Sequence, residues 1–109
     1  MSHPAFLAIG IVTCNAQEDF TGSDELVGIK GDDQFEIGRF STGETRDVHV
    51  NRPILPGVTE LTIVEKDYDP DDELIRIDLT QEMDTDRIVG VMVGRARYDI
   101  AFKVQSTSD

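Results

Sequence analysis

Apolar residues fall along this chain in short runs separated by Gly, Pro, Asp and Asn, and several runs alternate with polar positions at a period of two. No stretch keeps the i, i+3, i+4, i+7 spacing of an amphipathic helix for more than two turns. Eight runs rich in Val, Ile, Phe, Leu and Thr predict strands at Ala5–Thr13, Glu25–Lys30, Gln34–Phe40, Thr45–Val50, Glu60–Glu65, Leu74–Leu79, Ile88–Val93 and Tyr98–Val104. In the eighth, Tyr98, Ile100, Phe102 and Val104 share one face. In the sixth, Ile75, Ile77 and Leu79 share a face opposite Leu74, Arg76 and Asp78. One-sided burial of this kind suits an antiparallel sheet. The expected fold is therefore all-β, an eight-stranded antiparallel sandwich in a single domain over residues 1–109. Residues 1–4 and 105–109 are expected as frayed tails, and Thr80–Asp86 has room for one helical turn.

Alternation of strands also sorts the connections. If each strand crosses the sandwich once, the first, third, fifth and seventh connections share one end. These are Cys14–Asp24, Ser41–Glu44, Lys66–Glu73 and Gly94–Arg97. The two longest acidic loops, over forty residues apart in sequence, are thereby expected to meet.

Charge sharpens this picture. The 109 residues carry 22 acidic and 10 basic side chains, for a net charge of −12. Nucleic acid and bare anionic membrane would be repelled, whereas cations or a basic protein are favoured. Only Lys30, Lys66 and Lys103 are lysines, and such Asp-rich, Lys-poor composition also suits a high-salt cytoplasm. A carboxylate coat explains scattered acids, though not acids clustered at particular turns. The longest apolar run, Ala5 to Val12, is too short to span a bilayer, and no basic segment precedes it. Cys14, the one cysteine, permits no internal disulfide and reads as a small buried hydrophobe. The cytoplasm is the expected compartment, with peripheral membrane association open.

The densest acids lie in Asp67-Tyr68-Asp69-Pro70-Asp71-Asp72-Glu73. Carboxylates packed into one turn repel each other, and a hard divalent cation relieves that repulsion. Ca²⁺ accepts six to eight oxygens in tolerant geometry, and Pro70 stiffens the turn. The first connection offers Asp19 and Asp24 on either side of Gly22. An EF-hand reading of Asp67, Asp69, Asp71, Leu74 and Asp78 fails: Asp72 occupies the glycine position, Asp78 replaces the closing Glu, and the flanks are strand-like.

Asp19-Phe20-Thr21-Gly22-Ser23-Asp24, followed by Leu26-Val27, resembles the first calcium loop of C2 domains. Val64-Glu65-Lys66-Asp67-Tyr68-Asp69, with Asp72 and Leu74-Ile75, resembles their third. The resemblance covers nearly the whole chain and implies an eight-stranded sandwich in the type II strand order, in a short variant of bacterial or archaeal type. It implies Ca²⁺ as cofactor and Asp19, Asp24, Asp67, Asp69 and Asp72 as metal ligands, with Asp71 as an alternative to Asp72. The chain departs from the family pattern at Glu25-Leu26, where Pro-aromatic is usual, and at Arg76, where glycine is usual.

The family's habit of docking on phospholipid through calcium implies contacts by Phe20 and Tyr68 at the loop tips, with Arg95 and Arg97 supplying positive charge at the same end. The alternatives are a calcium-stabilised module that binds a protein partner or joins copies through exposed sheet edges, and a metal-independent acidic adaptor or immunity-type protein. Catalysis is not expected. His49 shares a face with Asp47 as a surface pair, Ser23 and Ser41 have no histidine at their end, and one Cys with two separated His cannot build a zinc site.

Overall fold

The computed structural model describes residues 3–17, 22–66, 72–80 and 87–107. Eight strands form in chain order: β1 His3–Ala16, β2 Asp24–Lys30, β3 Asp33–Phe40, β4 Thr45–Pro53, β5 Glu60–Lys66, β6 Asp72–Asp78, β7 Arg87–Val93 and β8 Ala96–Thr107. All pairings are antiparallel. One sheet has the order β4-β1-β8-β7 and the other β3-β2-β5-β6. The fold is the eight-stranded antiparallel sandwich expected from the alternation of the sequence.

The two sheets close on each other because each strand offers one apolar face. Leu7, Ile9, Val12, Cys14, Ile100, Phe102 and Val104 from the first sheet meet Leu26, Phe35, Ile37, Phe40, Leu61 and Ile63 from the second. The inward face of β8 matches the alternation of Tyr98, Ile100, Phe102 and Val104, all buried. Cys14 is buried and free, as expected.

Three features differ from the sequence reading. The β1–β8 ladder extends from Ala16↔Arg97 out to His3↔Thr107, so strand pairing includes much of what was expected as tails. The terminal strands support one another over this length, which local pattern does not reveal. In β6, Leu74 and Ile77 are both buried, although strict alternation sets them on opposite faces. A register shift between Ile63 and Val64 accounts for this: one extra β6 residue is accommodated there, which rotates the strand. The third difference is at the ends of the strands. β1 continues through Cys14 to Ala16, and β2 starts at Asp24 itself. The Thr80–Asp86 turn lies outside the described residues beyond Thr80.

Candidate metal centre

Strand directions send β1, β3, β5 and β7 toward one end of the sandwich, where β2, β4, β6 and β8 begin. The odd-numbered connections therefore do share that end. Backbone and side-chain bonds tie two of them together. Gly43 N–H donates to Cys14 O at 2.7 Å, and Cys14 N–H to Glu44 O at 2.8 Å. Gln17 N–H donates to Thr42 Oγ1 at 3.0 Å, while Thr42 N–H donates to Gln17 Oε1 at 2.9 Å. Gln17 Nε2 also reaches Gly22 O at 2.9 Å, bracing the far side of the first connection. Gly22 and Gly43 adopt φ of +81° and +92°, a backbone region that glycine enters without a Cβ clash.

Among the described residues, two carboxylates are buried at this end. Asp24 opens β2 on its inward face, in line with Leu26, and its side chain is 0% exposed. Tyr98, inward on β8 of the opposite sheet, donates its hydroxyl to Asp24 Oδ2 at 2.6 Å. Burial of the Tyr98 ring and the neighbouring Asp24 carboxylate both raise the phenol pKa far above its ordinary value, so the donor stays protonated. The Cys14 thiol, close to the same hydroxyl, is also raised, chiefly by burial. The Tyr98 ring stands edge-on to Phe40 with centroids 6.2 Å apart. The ring is thus fixed by packing and the carboxylate by the ring.

The second buried acid, Glu65, is likewise 0% exposed, and it continues the inward row of Leu61 and Ile63. In the β2–β5 ladder Glu65 lies across from Leu26, and Lys66 from Glu25. The Asp67-bearing connection therefore leaves β5 beside the residue with which β2 begins.

The expected ligands divide accordingly. Asp24 is buried and oriented at the loop end. Asp72 is the first residue of β6, paired with Glu65. Asp19, Asp67 and Asp69, together with Asp71, Phe20 and Tyr68, lie outside the described residues. Arg95 and Arg97 are at the expected end. Arg97 folds back on its own turn, donating from Nη1 to Gly94 O and Ala96 O, both at 2.9 Å. Among the described residues, no three His, Cys, Asp or Glu side chains cluster closely enough to hold a metal. The acids present are carboxylates, the hard oxygen donors that Ca²⁺ takes.

Sequence reasoning missed the parts played by Glu65 and Tyr98. Both were accessible. Leu61-x-Ile63-x-Glu65 puts an acid in an inward row, and an inward-facing tyrosine needs a polar partner for its hydroxyl.

At the opposite end lies a buried charge of the other sign. Lys30 is 2% exposed, and its Nζ bonds Asp33 Oδ2 at 2.7 Å. Arg52 from β4 binds the same carboxylate through Nη2 at 2.5 Å and Nε at 3.2 Å. These bonds, first Arg52's and then Lys30's, lower the Asp33 pKa from 3.8 to about 2. His49, expected as an exposed neighbour of Asp47, is exposed with φ of +50°, and its N–H donates to Asp47 Oδ1 at 3.1 Å.

No family model matches the chain, and no curated protein matches it. Solved structures do. The tandem C2 domains of extended-synaptotagmin 2 superpose over 97% of this chain and 42% of that one, with a TM-score of 0.56 and 17% identity. Human GIVD cytosolic phospholipase A2, solved with methyl γ-linolenyl fluorophosphonate and terbium chloride, superposes over 100% of this chain and 18% of that one. Its TM-score is 0.53 at 14% identity. The fold is C2-like, and the chain spans less than half the length of either of these proteins.

Proposed function

We propose that this domain is a C2-like module that binds Ca²⁺ between its β1–β2 and β5–β6 connections and uses the loaded end to dock on a phospholipid membrane or a protein partner. The observation that carries the reading is Asp24: a buried carboxylate, aimed by the Tyr98 hydroxyl, at the junction of the two acidic connections. Asp19, Asp67, Asp69 and Asp72 would complete the oxygen ligands, with Asp71 as the alternative to Asp72. An ion there would relieve repulsion among acids that the fold draws to one end. Phe20 and Tyr68 would meet the partner surface, with Arg95 beside them. The reading is of a binding module rather than an enzyme, peripheral to any membrane it meets.

Calorimetric titration with Ca²⁺, using Mg²⁺ as control, tests the ion site. Saturable binding is expected in the wild type and is lost in Asp67→Asn/Asp69→Asn. Sedimentation with phosphatidylserine vesicles in Ca²⁺ and in chelator then tests the target. Calcium binding without calcium-dependent sedimentation would favour the protein partner.

A further inference from the structure

The two long sides of the sandwich differ in how they are finished. On one side β3 lies against β4, and arginines cross between the sheets. The Arg46 guanidinium sits 4.5 Å from the Phe40 ring centre and bonds Arg39 O, and Arg52 lies over Phe35 at 5.2 Å while gripping Asp33. β4 is further blunted by Pro53 and by the irregularity at His49. Such devices protect a sheet edge against pairing with another chain.

On the other side β6 lies against β7. Among the described residues no side-chain bond or ion pair joins these strands, and each has a ladder partner on one flank only. β7 reads Arg-Ile-Val-Gly-Val-Met-Val: one charge, no proline, and an unbroken seven-residue ladder with β8. Its outward residues Ile88 and Met92 are 73% and 74% exposed. This is an edge without the usual protection.

We propose that a second copy of this chain covers that side, about a twofold axis parallel to the strands, with β7 of each copy pairing antiparallel to β6 of the other. Three observations select this arrangement. Both strands have seven residues. They run in opposite directions, since β7 ends where β6 begins, so the rotation makes each new pair antiparallel and extends each four-stranded sheet into the other copy's second sheet. Charge also matches at the far end. Arg87 at the start of β7 comes to the level of Asp78 at the end of β6, while at the loop end Glu73 is held by Arg76 of its own strand. Pairing β7 with β7 and β6 with β6 would instead bring arginines to arginines and acids to acids, an arrangement that like charges disfavour. The twofold axis also turns both loop ends the same way, so two such ends would meet one surface together. The dimer does not rest on calcium binding.

Sedimentation velocity on the full chain in chelator, across a wide concentration range, tests the dimer. The wild type is expected to shift from monomer to dimer as concentration rises. Arg87→Glu and Asp78→Arg should each weaken dimerisation about tenfold or more, and the double variant should recover most of the wild-type affinity. Asp78 also bonds Thr80, so Ile88→Asp serves as a second probe: it places an acid near Asp78 of the other copy and should disperse the dimer. A wild type that stays monomeric throughout would overturn the proposal. So would a dimer indifferent to these changes, or one that the charge swap fails to restore.

Discussion

The two ends of the sandwich both bury charge and do so in opposite ways. At the far end, the buried Lys30 meets Asp33, and Arg52 closes on the same carboxylate, so one acid is shared by two bases. At the loop end, Asp24 and Glu65 are fully buried acids, and the donor identified for Asp24 is a neutral phenol. A buried charge is tolerated when paired, and removing its partner is strongly destabilising. The far end is a structural fastening that needs nothing from outside. The loop end gathers negative charge where the most acidic connections leave their strands, and it is there that the proposed function puts a cation.

Substitutions should separate the two ends. The largest effect is expected at Gly28, on the inward face of β2 toward the far end. A Cβ there would collide with three atoms of the Phe35 ring, over which Arg52 also lies. Gly28→Ala should destabilise the fold by up to about 3 kcal/mol through overpacking, measured by denaturant unfolding, with calcium binding intact. At the loop end, Tyr98→Phe removes the donor to a buried carboxylate. It should cost about 1.5 kcal/mol and also weaken Ca²⁺ binding, because Asp24 loses the group that aims it. The two substitutions therefore differ in readout: the first changes stability alone, the second stability and affinity.

The smallest effect is the pH response of the far end. The Asp33 pKa is lowered in the folded state to about 2 from 3.8, so its contribution to stability is fully present above pH 3.8. That contribution is lost as pH falls from there through about 2. Asp33→Asn should lower the melting temperature at neutral pH and flatten its fall across this acid window, as thermal melts over a pH series would record.

Much of this architecture is legible in the residues. Period-two runs such as Tyr98-x-Ile100-x-Phe102-x-Val104 announce both strand and buried face, and strand alternation alone brings the first and fifth connections to one end. The β6 bulge was not legible, because Leu74 and Ile77 share a face only through the register against Ile63 and Val64, which is set by a partner strand. The extension of β1 and β8 to His3↔Thr107 depends likewise on two segments a hundred residues apart. For the site, Asp24 stands out by its place after Gly22. Its fastening to Tyr98 crosses 74 residues and both sheets, and no local pattern reports it. The far-end triad is hidden for the same reason: Arg52 reaches Asp33 from the other sheet.

The most direct test of the calcium assignment is thermal melting of the wild type, Asp24→Asn and Asp33→Asn, each with excess Ca²⁺ and with chelator. Ligand that binds only the folded state at one hundred times its dissociation constant adds about 2.7 kcal/mol. The wild type and Asp33→Asn should both melt several degrees higher in Ca²⁺, and Asp24→Asn should lose that gain. Equal melting of the wild type in calcium and in chelator, or a calcium gain that survives in Asp24→Asn, would contradict the assignment.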